Sequence, residues 1–154
     1  MKNLRQSAGI LLFRRSNGGL EFFLVHPGGP FWKNKDNGAW SIPKGEFTEL
    51  EPALDAALRE FREETGTTLS GQFIALQHLR QKSGNQVYAW ALQGDINESS
   101  ILSISFEMEW PPKSGSLQSF PEVDRAAWFD AEMAKAKINK AQIGFINEVI
   151  MMFC

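Results

Sequence analysis

Residues 45–67, GEFTELEPALDAALREFREETGT, constrain this chain more than any other stretch. They read as a glycine-started loop running into one charged helix. Pro52 suits a first helical position, where its missing N–H costs nothing. Gly66 suits the left-handed residue that ends a helix. Between them Leu54, Leu58 and Phe61 recur at i, i+4 and i+7, which defines one buried stripe. Glu60 and Glu64 fall one turn apart on the same edge, with Glu63 beside them. Like charges at this spacing cost roughly 0.2–0.5 kcal/mol per pair. They also sit in the last turn, where the helix dipole disfavours negative charge. A solvated acidic face is the bland account of such a cluster, but stability alone would not choose it.

A hard divalent cation removes the penalty, because Mg²⁺ prefers a few carboxylate oxygens together with water and phosphate oxygens. Ala53 and Ala56 lie N-terminal along the same edge, small enough to leave room for a ligand beside the ion. The acids also come with Gly45, Glu51 and Arg59 at fixed offsets. The whole pattern resembles the signature of the Nudix hydrolase family (MutT-like proteins): Gly45, Glu51, Arg59, Glu60, Glu63, Glu64 and Gly66 fill its glycine and polar positions, and Phe61 its apolar slot. Thr67 departs from the usual aliphatic residue, although a β-branched residue can still enter a strand. The preceding Trp40-Ser41-Ile42-Pro43-Lys44-Gly45 looks like the branch that includes diadenosine tetraphosphate and diphosphoinositol polyphosphate hydrolases, though related lead-ins occur elsewhere in the family.

With 154 residues, the chain fits one domain, taken as residues 1–154 with the signature at 45–67. Its net charge of −2 gives no basic field for holding duplex nucleic acid, so an anionic substrate needs local cations or a bound metal. The single cysteine, Cys154, allows no disulfide within one chain, in keeping with a reducing cytoplasm. The N-terminal residues 1–7 lack an apolar signal core, and no apolar run approaches the ~20 residues of a membrane span.

Along the chain, residues 8–13 form an apolar run expected to be a strand buried on both faces, and residues 20–25 a second strand, joined as a hairpin across Asn17-Gly18-Gly19. Residues 26–38 are a loop by composition that carries His26, Trp32, Lys33 and Lys35. An aromatic with nearby lysines can clamp a base and a polyphosphate; equally, Trp32 can pack the loop down with the lysines solvated. His26 alone reads as a hydrogen-bonded surface group. Trp40 and Ile42 alternate with Ser41 as a short strand that Pro43 stops, and Lys44-Gly45 reads as a bend before the helix.

After the helix, residues 72–81 read as a strand with imperfect alternation, hairpinned to a second strand at residues 86–94. Tyr88 and Trp90 share one face there, so core packing competes with base stacking. Residues 95–119 are the least legible. Phe106 to Trp110 alternate with two acids on one face, and residues 111–116 are a loop that is either a flap over a site or an inert excursion. Residues 120–130 match a late family pattern in which an acid precedes a strand ending in Trp and an apolar residue. Asp130 caps a helix at residues 131–137, and Asn139 a last helix striped by Ile143, Ile146, Val149, Ile150 and Phe153.

The resemblance implies an α/β fold in which a mixed β-sheet is sandwiched between α-helices (α/β/α), with the signature helix on one side and the C-terminal helix on the other. It implies metal-dependent hydrolysis of a phosphoanhydride in a nucleoside diphosphate linked to another group, a dinucleoside polyphosphate such as diadenosine tetraphosphate leading. It further implies that Glu60, Glu63 and Glu64, with the Lys44 carbonyl, hold Mg²⁺ or Mn²⁺. Glu122 reaches the same cluster in diadenosine tetraphosphate hydrolases; a plain surface salt bridge is the alternative, and Glu107 and Glu109 compete for the task. Such an ion polarises phosphoryl oxygens and acidifies bound water. Glu60 or Glu122 would be the general base. Arg59 and Glu51 support the cluster, and Lys44, Lys33, Lys35 and Arg80, with Tyr88 and Trp32, are the candidates for substrate contacts. The expected partner is a small nucleotide, with no membrane and with a monomer or homodimer as the assembly. Rival readings are a nucleoside triphosphate pyrophosphohydrolase that clears damaged nucleotides, an RNA 5′ pyrophosphohydrolase, and a Nudix module that senses a nucleotide without cleaving it.

Overall fold

The structure is a computed structural model and describes residues 5–153. Most of residues 1–7 and Cys154, on which the leader and disulfide expectations rest, lie outside the described residues. The frame is a mixed sheet. β1 (Gln6–Ser16) is its centre, and Ala8 and Ile10 to Phe13 have no exposed surface at all. Its side chains alternate between two cores, Ala8, Ile10 and Leu12 on one side, Leu11 and Phe13 on the other. Such two-sided burial needs helices on both faces.

β2 (Gly19–Pro27) pairs antiparallel with the end of β1, from Ser16↔Gly19 to Phe13↔Phe22. β6 (Gln86–Gln93) pairs parallel with β1, and β9 (Val123–Asp130) closes the other edge along β2. Beyond Phe22 the two central strands part, and residues 41–46 enter between them. Ser41 bridges Val25, the Pro43 carbonyl accepts from the Ile10 N–H, and β3 (Lys44–Glu46) pairs with Ser7 to Gly9. The pairing with β2 thus stops short of Pro43, as expected, but Lys44-Gly45 is not a bend: it opens β3. A proline lacks only the donor, and its carbonyl still serves the sheet.

α1 (Ala53–Thr65) lies on one face, where Ala56, Ala57 and Phe61 pack against Ala8, Ile10, Phe23 and Val25. Pro52 stands one residue before the helix, and Gly66 ends it in the left-handed conformation with φ 81°. The deepest positions are Ala56, Ala57 and Phe61, with Leu54 and Leu58 of the expected stripe only half-buried. Ala56 is thus core, and it leaves no ligand space beside the acids. Thr67 enters no strand.

On the opposite face sit α2 (Ala131–Lys137) and α3 (Ile143–Phe153), packed through Ala134, Phe145, Ile146 and Val149. Asp130 Oδ1 accepts from the Met133 N–H, and Asn139 Oδ1 from the Ala141 N–H. The resulting layers are α/β/α, as the resemblance implied. The strand expected at 72–81 is only two short pairings on β6: β4 (Ile74–Ala75) and β5 (Leu79–Arg80). Finally β7 (Ser105–Glu109) and β8 (Leu117–Pro121) make a separate two-stranded hairpin. No helix among the described residues is long and apolar enough to cross a membrane.

Candidate active site

The C-terminal half of α1 meets β3 edge-on. Gly45 faces Glu60 so closely that a Cβ there would stand 2.1–2.4 Å from the Glu60 carboxylate. Only a glycine lets the carboxylate lie against the strand. Glu60 and Glu64 are consequently 8% and 7% exposed, on the sheet-facing side of the helix rather than along a solvated ridge.

Arg59 compensates part of this charge. It grips Glu51 with two parallel hydrogen bonds, Nε to Oε2 at 2.9 Å and Nη2 to Oε1 at 3.0 Å. Its Nη1 reaches Glu60 at 2.8 Å and Glu63 at 3.3 Å. A forked guanidinium held this way fixes the orientation of both glutamates. The pairing holds Glu51 below the usual carboxylate range, and raises Arg59 above its ordinary value.

Glu64 has no such partner. Its Oε2 accepts only the Lys44 N–H, at 3.2 Å. Burial, then the charges of Glu60 and Glu122, push its carboxyl well above the ordinary range. Glu60 is raised by burial and by Glu63, with Arg59 opposing. Glu122 is raised by burial and by Glu63. The Lys44 ammonium is lowered by burial, with Glu64, Glu46 and Glu60 opposing. Burial, more than repulsion along the helix, is thus the main cost of the cluster.

A cavity of about 380 Å³ opens over these groups, with Lys44, Glu64 and Glu122 in its lining and Trp32 and Phe106 among its walls. A run of backbone hydrogen bonds holds its parts together. The Glu63 carbonyl accepts from the Ile104 N–H, the Ile104 carbonyl from Glu122, and the Glu122 carbonyl from Gly28. At Gly28 a Cβ would meet the Pro121 carbonyl at 1.9 Å, so this approach too requires glycine.

The structure brings Lys44, Glu64, Glu122 and Trp32 to one cavity, with Glu60, Glu63 and Arg59 directly behind. Lys33 and Lys35 are exposed on the loop that carries Trp32, with Lys35 Nζ 5.0 Å from the Trp32 ring. Two candidates are elsewhere. Tyr88 packs against Phe47 and His78 with its hydroxyl bonded to Gln86, and Arg80 lines a different cavity. Glu107 and Glu109 are exposed on the hairpin, where Glu109 accepts from the Lys113 N–H. His26 is not a surface group. It is fully buried, with Nδ1 2.9 Å from Asp124 Oδ1 and Nε2 2.7 Å from the Lys35 carbonyl, and it pins the Trp32 loop to β9. Phe106 was not singled out from sequence; its alternation with Met108 and Trp110 was the available signal.

Among the described residues, no three His, Cys, Asp or Glu side chains converge closely enough to hold an ion as they stand. Arg59 lies between Glu60 and Glu63, and Glu64 is turned to the Lys44 N–H. The chemistry of the set nevertheless fits a hard cation: every donor is oxygen, and Glu64 is buried with its charge only partly offset by Lys44.

The sequence matches the NUDIX domain family over residues 3–149. The chain belongs to the Nudix family, whose hydrolases generally use divalent metal ions. Solved structures share the fold. A Caenorhabditis elegans Ap4A hydrolase in a binary complex is 21% identical, with a TM-score of 0.61 over 97% of this chain and 96% of that one. The NUDIX domain of Shewanella oneidensis NrtR, complexed with ADP ribose, is 16% identical with a TM-score of 0.66 over 100% and 91%. A MutT described from Aliivibrio salmonicida and Vibrio cholerae is 18% identical with a TM-score of 0.58 over 97% and 98%. No curated protein matches the sequence.

Proposed function

We propose that the cleft hydrolyses a phosphoanhydride in a nucleoside diphosphate linked to a second group, with a dinucleoside polyphosphate as the leading substrate. The observation that carries this is Glu64: a carboxylate 7% exposed in the cleft lining, next to Glu60 and Glu122, with one backbone N–H for a partner. Glu60, Glu63, Glu64 and Glu122, with the Lys44 carbonyl, would hold Mg²⁺ or Mn²⁺. When bound, the ion supplies neutralisation of phosphate charge and acidification of water.

The residues of the chain do the rest. The Lys44 ammonium meets a phosphate oxygen as a point charge. Arg59, anchored on Glu51, keeps Glu60 and Glu63 aimed. A carboxylate takes the proton of the attacking water. Of the two candidates, Glu122 lines the cavity and Glu60 does not, which favours Glu122. Trp32 and Phe106 offer apolar surface to a base.

The choice of a dinucleoside polyphosphate rests on the Trp40 to Gly45 lead-in, on Glu122, and on the likeness to an Ap4A hydrolase. The likeness to a domain holding ADP ribose makes a nucleoside diphosphate sugar the second reading. A panel of dinucleoside tetraphosphates, ADP-ribose, nucleoside triphosphates, diphosphoinositol phosphates and 5′-triphosphorylated RNA, incubated with Mg²⁺ and read by mass, decides among them. A dinucleoside polyphosphate split to two nucleotides is the expected result. Tight nucleotide binding with no cleavage of any member would make the chain a sensor and end the hydrolase reading.

A further inference from the structure

Arg80, expected at the substrate, lies instead in a second cavity of about 720 Å³. Arg80 and Lys82 form one wall, at and after the end of β5. Gly38, Asn139 and Lys140 form another, where the Trp32 loop meets the turn between α2 and α3. No carboxylate lines it, and it shares no residue with the active-site cavity.

What distinguishes this cavity is that its lining gathers three cations and no carboxylate among the described residues. Arg5, Arg14, Arg59 and Lys137 each sit against a carboxylate. Arg80, Lys82 and Lys140 make no ion pair among the described residues. Three unpaired cations from separate segments converge on one concavity, in a chain whose net charge is −2. A cleft lined by one sign of charge focuses the field onto an oppositely charged ligand.

We propose that this cavity binds a compact polyphosphate, two or three linked phosphoryl groups, at a site separate from the hydrolytic cleft. Its volume exceeds the needs of one phosphate, and its cations come from more than one wall. Its lining holds no aromatic ring, so the phosphate chain is recognised and any attached nucleoside is not. The site backs directly onto the cleft. Next to Lys140 and Ala141, the buried Gln142 accepts the Ile42 N–H at 3.0 Å and donates to Ser41 Oγ at 3.0 Å. Ser41 and Ile42 belong to the active-site wall. An occupant of the second cavity therefore sits one turn of chain from the first.

The proposal does not rest on the hydrolase reading, and metal-free conditions keep the two apart. Tripolyphosphate is titrated calorimetrically into full-length protein in EDTA at low salt. Sub-millimolar binding is expected, weakening as salt is raised. Lys82→Glu and Lys140→Glu, both at exposed positions, should each lower the affinity at least ~10-fold with unchanged melting curves. Glu122→Gln in the cleft should leave it unchanged. ATP should bind like free tripolyphosphate, and inorganic phosphate ~10-fold or more weaker. Absence of binding, indifference to both charge reversals, loss on Glu122→Gln, or inorganic phosphate binding equally well would each overturn the proposal. A strong preference for ATP would overturn the claim that only the phosphate chain is read.

Discussion

Replacing Glu64 by glutamine separates function from stability more cleanly than any other change. The amide keeps the shape and can still accept the Lys44 N–H through its oxygen. What it removes is one buried negative charge. That charge faces two like charges, Glu60 and Glu122, and one unlike charge, the Lys44 ammonium. Desolvation adds to the cost, since Glu64 is 7% exposed. Stranding a buried polar group costs about 1–3 kcal/mol, and more for a charged one. Lys44, itself largely buried, loses a favourable neighbour in the variant, which returns part of the gain. The net for Glu64→Gln in metal-free buffer is a stabilisation on the order of 1 kcal/mol, or about 2–4 °C in Tm for a chain of this length. Turnover should move the other way, falling at least ~100-fold, as when a key electrostatic group is lost. Thermal melts in EDTA, with Mg²⁺-dependent turnover on the same preparations, read both. A variant that melts several degrees lower in EDTA while retaining near-normal turnover would refute the reasoning, because Glu64 would then be a satisfied structural group.

Other expectations come from the same geometry. Gly45→Ala puts a methyl where the Glu60 carboxylate lies and pushes that flexible side-chain end away, so turnover should fall by ~10-fold or more with little change in stability, read by kinetics and urea unfolding. Glu60, Glu64 and Glu122 have folded pKa values raised above their unfolded ones, so they weaken the fold at neutral pH and do so less as pH falls through those values. Glu51, lowered by Arg59, works oppositely: its stabilisation is present above the unfolded pKa and is lost as pH falls through the folded one. Urea midpoints in EDTA should therefore peak on the mildly acidic side of neutrality, and a steady decline from neutral pH downward would contradict this. His26→Ala leaves the Lys35 carbonyl and Asp124 without their partner, and should cost about 1–3 kcal/mol and raise KM by loosening the Trp32 loop. Trp32→Ala should raise KM for substrates that carry a base; an unchanged KM would leave Trp32 a packing residue.

Local signals were readable from the chain and long-range ones were not. The apolar run at residues 8–13, the left-handed Gly66, the caps at Asp130 and Asn139, and the spacing of Arg59, Glu60, Glu63 and Glu64 each depend on neighbours within two helical turns. Burial of the carboxylates is not legible in the sequence because helical periodicity places Glu60 and Glu64 relative to one another, not relative to β3. What buries them is the entry of residues 41–46 between β1 and β2, a non-local event. Arg80 and Tyr88 lie away from the cleft lining, which the sequence does not tell for a similar reason. A strand pattern assigns a residue to a face, and says nothing of which cavity that face borders. The hairpin of β7 and β8 was opaque because β8 is exposed at every position but Phe120, so the alternation of Phe106 and Met108 in β7 has no matching pattern to pair with.

The position of Glu122 follows from backbone more than from side chains. The Ile104 N–H and carbonyl join the Glu63 carbonyl at the end of α1 to the Glu122 N–H, and the Glu122 carbonyl in turn holds Gly28. One extended residue thus sets the separation between the signature helix and a glutamate about sixty positions downstream. The Ser103 hydroxyl adds a second tie, accepting the Val123 N–H at 3.0 Å. A charge at Glu122 could not stay near Glu63 and Glu64 by attraction, since all three repel. Peptide hydrogen bonds, which do not weaken when the carboxylates ionise, do the holding. The frame therefore keeps the carboxylate-bearing segments side by side before any cation arrives, and what binding energy must still drive is rotation of side chains, Glu64 away from the Lys44 N–H and Glu60 and Glu63 away from Arg59.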